Sequence, residues 1–170
     1  MYGILGLIML VGASSGLGFY FSGMLKERVN KLREAVLFLR TVERELQYSL
    51  DLTDKIIEKI DAEGRFRGLK AVSECTVLCR KGEIFPKAWE KSVAAAKREM
   101  KLTDAEARVF SQLSTALGKY DAQSQVKAIE EIALRMEGFV GEAEKKYEEK
   151  GTLYRTLGTL LGAGMAILLI

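Results

Sequence analysis

Residues Val126–Tyr147 read VKAIEEIALRMEGFVGEAEKKY, with apolar positions at Val126, Ile129, Ala133, Met136, Val140, Ala143 and Tyr147. The steps alternate between three and four. Such spacing lays one continuous stripe along an α-helix, whereas a half-buried strand needs alternation by two. Sustained over three heptads, it is the pattern of a helix that packs lengthwise against another. Asp121, just upstream, is placed to cap this helix.

A second stripe lies far upstream at Val29, Leu32, Val36, Leu39, Leu46 and Leu50. Glu43 is its single polar step, and Val42 beside it can turn inward instead. No proline interrupts residues 4–60, so this stripe and the residues before it are predicted to form one long helix. Gly64 ends the pattern.

Between the stripes three shorter helices are expected. The first runs from Phe66 to Lys81, with Leu69, Val72, Cys75 or Thr76, and Cys79 inward, and terminates at Gly82. The next begins at Pro86, whose missing N–H is harmless at a first helical position, and buries Trp89, Val93 and Ala96. Thr103 and Glu106 form a capping box for the third, which carries Val109 or Phe110, Leu113 and Leu117 inward and stops at Gly118. No segment alternates as a strand does. The fold class is therefore all-α: an antiparallel helical bundle with long coiled-coil-like first and last helices, capped by a three-helix insert and flanked by N- and C-terminal transmembrane helices.

The flanking spans are read from charge. All charged side chains lie between Lys26 and Arg155, so residues 1–25 and 156–170 carry none. A hydrocarbon core about 30 Å thick needs roughly 20 apolar residues. The first segment meets that length; the second is shorter, and spanning requires about one more turn from Gly151 to Tyr154, with Arg155 snorkelling to the headgroups. The expected organisation is a transmembrane helix at 1–25, a cytoplasmic helical bundle at 26–152 and a transmembrane helix at 153–170. A cleaved signal peptide is the rival reading of the first segment, but no basic residue precedes Lys26. Lys26, Arg28, Lys31 and Arg33 on one flank, and Lys145, Lys146, Lys150 and Arg155 on the other, favour a cytoplasmic middle.

The chemistry expected is that of a scaffold. Histidine is absent, and neither a phosphate-cradling glycine loop nor a G-x-S-x-G turn occurs, so no catalytic residue is assigned. The charges, 26 basic against 23 acidic, are interspersed, which argues against nucleic acid as a partner. Cys75 and Cys79 lie one helical turn apart, yet a structural zinc site wants four ligands. Core packing is the simpler role for both. Glu43 and Glu45, two apart, fall on different helix faces. No cofactor, metal or small-molecule substrate is expected. Trp89 is read as core, with an interface anchor as the alternative, and Glu142 to Lys150 as a solvated face. Gly12 with Gly16, and Gly158 with Gly162, are spaced to let helix backbones approach closely in lipid.

Several of these residues together resemble the stage III sporulation protein AB family: Leu32 with Leu39, ERELQY at Glu43–Tyr48, Ala88-Trp89, Leu117-Gly118-Lys119-Tyr120-Asp121 with Gln125, and Leu157-Gly158 leading into ILLI. The resemblance covers nearly the whole chain. Where that family has an apolar or proline-containing turn after the tyrosine, this chain has Leu50-Asp51-Leu52-Thr53, which leaves the end of the first helix open. The resemblance implies a structural part of the channel between mother cell and forespore, in the mother-cell membrane around the forespore with its central domain in the cytoplasm. The family is similar to the platform proteins of type II secretion and type IV pilus machines, whose helical bundles face an ATPase. By that similarity the partners are other stage III channel proteins, including the stage III sporulation protein AA ATPase, met through Leu117, Gly118, Lys119, Tyr120, Asp121 and Gln125 as a surface corner. The alternative reading is a membrane-tethered coiled-coil adaptor or signalling module unrelated to secretion.

Overall fold

The structure, a computed structural model, describes residues 2–48, 53–117 and 121–168; most side chains of residues 2–11 and 163–168 fall outside that description. The described elements are helices throughout, with no strand among them. They are α1 (Tyr2–Tyr48), α2 (Thr53–Ala62), α3 (Lys70–Arg80), α4 (Phe85–Ala96), α5 (Asp104–Ser111), α6 (Leu113–Ala116) and α7 (Ala122–Leu168). The chain forms two compact units, one from Met1–Val29 with Gly141–Ile170 and the other from Asn30–Val140. Both long helices contribute to each unit.

The two long, proline-free helices are those read from the stripes. On α7, Ile129, Ala133, Met136 and Ala143 are buried, while Val126, Val140 and Tyr147 are half-buried. On α1, Val29, Leu32, Leu39 and Leu46 are buried, and Val42 turns inward in place of Glu43. Ala35 and Phe38 are buried too, so the covered face of α1 is wider than a coiled-coil seam. This is the broader stripe of a helix packed on two sides. Leu50 lies outside the described residues.

The insert differs from the expectation in three places. Ile56, Ile57 and Ile60 sit on a separate helix, α2, which sequence reading did not divide from the first. The helix expected from Phe66 starts only at Lys70, because Gly64 takes a left-handed φ of 68° and residues 63–68 form turns. The Gly68 carbonyl accepts from Lys31 Nζ of α1 at 2.7 Å, which holds this turn against the long helix. The helix expected to run from Thr103 to Gly118 breaks at Gln112 and resumes as the single turn α6.

The punctuation itself follows the sequence. Gly82, at φ 91°, closes α3 with its N–H on the Cys79 carbonyl, while the Glu83 N–H reaches back to Leu78. Pro86 occupies the first turn of α4. The capping box is complete: Glu106 N–H donates to Thr103 Oγ1 at 3.3 Å, and Thr103 N–H to Glu106 Oε2 at 2.7 Å.

Four aromatic rings tie these elements together in the core of the Asn30–Val140 unit. Phe38 stacks on Trp89 with centroids 5.6 Å apart and planes within 12°, and meets Phe66 and Phe110 edge-on at 5.5 and 6.1 Å. Trp89 is fully buried, and its Nε1 donates to the Phe110 carbonyl at 3.1 Å. An indole buried this way contributes both apolar area and a satisfied donor.

Among the described residues no helix is long and apolar enough to cross a membrane. The flanking spans at 1–25 and 153–170 are therefore not established by these helices.

Trp89→Ala is expected to destabilise the protein by about 3–5 kcal/mol. Trp89→Phe, which keeps most of the ring but leaves the Phe110 carbonyl without its donor, should cost about 1–3 kcal/mol. Urea unfolding followed by circular dichroism measures both, and unchanged midpoints would contradict the role given to this ring.

Candidate partner-binding corner and glycine seam

The corner begins where α6 ends. Leu113 and Ala116 are buried on α6, and Leu117 beyond it is only 1% exposed. Leu117 thus belongs to the core, as the inward reading of this helix had it, and presents no surface at the corner to which it was also assigned. Gly118, Lys119 and Tyr120 lie outside the described residues. Asp121 is exposed and caps α7: its Oδ1 accepts from the Ser124 N–H at 3.1 Å and its Oδ2 from the Ser124 hydroxyl at 2.6 Å. These hydrogen bonds from Ser124, side chain first and backbone second, hold the Asp121 carboxyl below the usual carboxylate range. Gln125, one turn on, is half-buried.

One turn further along α7 the surface opens into a cleft of about 300 Å³, lined by Gln112, Thr115 and Ala116 on one side and Ala128, Glu131, Ile132 and Arg135 on the other. Arg135 Nη1 donates to Gln112 Oε1 at 3.0 Å across it. Sequence reading missed this cleft. Its signal is the pair of alanines, Ala116 beside Leu117 and Ala128 beside Ile129.

A second candidate is the seam between α1 and α7 within the unit of residues 1–29 and 141–170. A Cβ built on Gly18 would fall 2.4 Å from the Tyr154 carbonyl oxygen, and one on Gly158 would fall 2.8 Å from that of Ser14. Gly151 abuts Ser22 and Tyr147. Going up α1 through Ser14, Gly18 and Ser22, the partners go down α7 from Gly158 to Gly151, so the pair is antiparallel as expected. Phe21 and Tyr154 flank the seam with centroids 5.7 Å apart.

The glycines of the seam are not all those singled out from sequence. Among the described residues a Cβ on Gly12 or Gly16 would meet nothing within 4 Å, whereas Gly158 lies against Ser14 and Gly18, and Gly162 is buried. Gly18 lies two residues from Gly16, about 200° around the helix. The missed signal is Ser14, Gly18 and Ser22, small residues at steps of four.

The remaining candidates fall into structural roles. Glu43 and Glu45 part company: Arg40 Nη1 donates to Glu43 at 2.9 Å and Lys59 to Glu45 at 2.7 Å. Arg40 also grips Glu137 of α7 through Nε and Nη2, at 3.2 and 3.0 Å. Its hydrogen bond to Glu43, aided by Glu137, raises its pKa above the ordinary arginine value. Cys75 is buried, and burial, with Cys79 beside it, pushes its thiol well above the usual range. It is therefore held protonated. Cys79 is half-buried. No group of three or more His, Cys, Asp or Glu among the described residues is arranged to hold a metal ion.

Residues 3–170 match the family described as stage III sporulation protein AB. The chain belongs to that family. It is also 26% identical over 173 residues to stage III sporulation protein AB of Bacillus subtilis (strain 168), with each chain covered in full. No solved structure matches. Family membership assigns the chain a role in sporulation, and the matched range takes in the corner, the cleft and the seam alike.

Gly18→Val is expected to force α1 and α7 apart and destabilise their pairing by about 1–3 kcal/mol. Gly12→Ala, at an open helical position, should be neutral or stabilising by up to about 1 kcal/mol. Thermal melts in detergent compare them, and equal losses would contradict the seam. Because the Asp121 carboxyl is held low, the stability it contributes is present above the usual carboxylate range and lost as pH falls through its folded value. Protection of the Ser124 amide against hydrogen exchange, referred to its intrinsic rate at each pH, should accordingly fall in acid, and Asp121→Ala should abolish that pH dependence.

Proposed function

We propose that this sporulation protein is a non-enzymatic membrane scaffold of the channel between mother cell and forespore, docking the complex's ATPase through its helical bundle. The observation that carries the membrane part is the α1·α7 seam. Two uncharged segments meet backbone to backbone over Gly18 and Gly158, without large apolar side chains between them at those points. Helices associate this way where no hydrophobic driving force between them is available, as in lipid. Lys26, Arg28, Lys31 and Arg33 beside the first segment support a cytoplasmic bundle.

Docking is supported by surface and not by any reactive group. The described residues bring together capping, packing and ion-pair interactions, and the open features of the bundle include the Asp121 end of α7 and the cleft beside it. The likeness of the family to platform proteins that face an ATPase points to stage III sporulation protein AA as the partner, a warrant from shape alone.

The protein is expected to remain in the membrane pellet after carbonate washing, with tags placed between Lys26 and Lys150 shielded from external protease in intact cells. Release by carbonate would remove the scaffold reading. Purified stage III sporulation protein AA ATPase should co-purify with the full chain, and the double charge reversal Lys119→Glu with Asp121→Lys should reduce its recovery. Undiminished recovery would leave Asp121 as a helix cap only.

A further inference from the structure

We infer that the register of the α1·α7 seam sets the bilayer boundary at the level of Tyr20 and Tyr154, about one and a half turns short of Lys26. There Tyr20, Phe21, Tyr154 and Arg155 form a girdle for phospholipid headgroups, with the Arg155 guanidinium on a lipid phosphate. This rests on the membrane reading above and names the lipid group met at one depth of it.

Charge alone places the end of the first span at residue 25 and the start of the second at 153. The seam puts those two positions at different depths. Gly18 stands against Tyr154 and Gly158, Ser14 against Gly158 and Ser22 against Gly151, so each step up α1 is matched by one step down α7. Continued by one turn, this register brings Gly23, Met24 and Leu25 level with Lys150, Glu149 and Glu148. Those three charged side chains are exposed, and hydrocarbon does not receive them. The uncharged residues 21–25 therefore lie alongside headgroups and water, although nothing in their own sequence says so.

A cluster of rings stands at the new level. Tyr20 meets Phe21 edge-on with centroids 5.8 Å apart, and Phe21 meets Tyr154 across the seam at 5.7 Å. All three are exposed. Tyrosine, apolar in body and polar at its tip, concentrates where hydrocarbon meets headgroups. On the side away from the charges, Met9, Leu17 and Phe19 are exposed in three different directions round α1, and Leu157, Leu160 and Leu161 are exposed on α7. A protein partner covers one side of such a pair, whereas lipid covers all of them. Thr156 and Thr159, exposed on the remaining side of α7, donate their hydroxyls to the Thr152 and Arg155 carbonyls at 3.0 and 3.1 Å, so these donors are satisfied without water.

Arg155 supplies the polar side of the girdle. Its side chain turns back toward the start of α7, where Nε donates to the Gly151 carbonyl at 3.1 Å, and this draws the half-buried guanidinium toward the charged side. Among the described residues that carbonyl is its side-chain partner, and Glu148, the acid on the same face, lies two turns back, about 10 Å along the axis. Both Nη groups are left for an oxyanion at this depth, and the oxyanion that a bilayer offers there is a phosphate.

The test uses the full chain in vesicles of phosphatidylglycerol and phosphatidylethanolamine whose acyl chains carry bromine at a chosen depth. Phe21→Trp, Met24→Trp and Leu161→Trp, introduced singly at exposed sites, report depth by fluorescence quenching over the background of buried Trp89. Leu161→Trp should be quenched most by bromines deep in the chains, Phe21→Trp only by those nearest the glycerol, and Met24→Trp by neither. Deep quenching of Met24→Trp to match Leu161→Trp would put the boundary at Lys26 and overturn the inference while leaving the membrane reading intact. Absence of quenching in Leu161→Trp would remove both. For the phosphate, the same vesicles hold protein labelled at arginine Cζ, and solid-state NMR reads its dephasing by lipid phosphorus. Arg155→Gln should lose part of that dephasing, with quenching in the added Leu161→Trp showing that the variant still inserts. Inorganic phosphate, added to the protein in a phosphorus-free detergent, should produce none. Dephasing unchanged in Arg155→Gln, or equalled by inorganic phosphate, would overturn the lipid phosphate contact.

Discussion

Phe38 carries the Asn30–Val140 unit. It projects from the last quarter of a 47-residue helix whose own sequence supplies no reason to meet α4 or α5. The stacked contact with Trp89 and the edge contacts with Phe66 and Phe110 provide that reason. Offset and edge-on ring pairs contribute beyond their buried area, and each such pair here joins segments distant in sequence. The Trp89 N–H completes the arrangement, since it satisfies a carbonyl at the site where α5 passes over the ring. The short helices α2–α6 have little to hold them singly, because helices of this length are marginal in isolation. They persist because they share this core.

The two long helices obey a different rule in each unit. Between residues 30 and 140 they bury Leu32, Leu39, Ile129 and Met136, and Arg40 clasps Glu137 at the surface. There, water supplies the driving force for burial. Between residues 1–29 and 141–170 the same helices meet over glycine and serine, close enough that a single Cβ would strike backbone. At Gly18 and Gly158 the two backbones leave no room for a side chain. Charge runs to Lys26 on one helix and Arg155 on the other, so residues 141–155 of this unit still carry it while 1–25 and 156–170 do not.

In this protein the polar side chains singled out from the sequence have structural roles. Its cysteines, its paired glutamates and its capping carboxylates are all committed to packing, ion pairs or helix termini. Among the described residues a cleft lies beside Ala116 and Ala128, with Arg135 bonded to Gln112 across it. Membership of a sporulation family gives the protein a role in that process.

Local rules were legible because they act over a few residues. Heptad spacing placed both long helices, Thr103 and Glu106 announced a capping box that forms as read, Gly82 closed α3, and Asp121 capped α7. Where the expectation erred, distant groups decided. Lys31 of α1 gripping the Gly68 carbonyl accompanies a turn where a helix had been read, and Phe38, off the 3,4 stripe, became central only because Trp89 and Phe110 came to meet it. Gly18, which the spacing rule did not single out, lies against the Tyr154 carbonyl. Composition and periodicity by themselves determined an all-helical chain with uncharged ends, since backbone propensity and side-chain phase are properties of neighbouring residues. Which glycines touch, which leucine is hidden and where a cleft remains were settled only by tertiary packing, because those outcomes depend on what arrives from the far side of the chain.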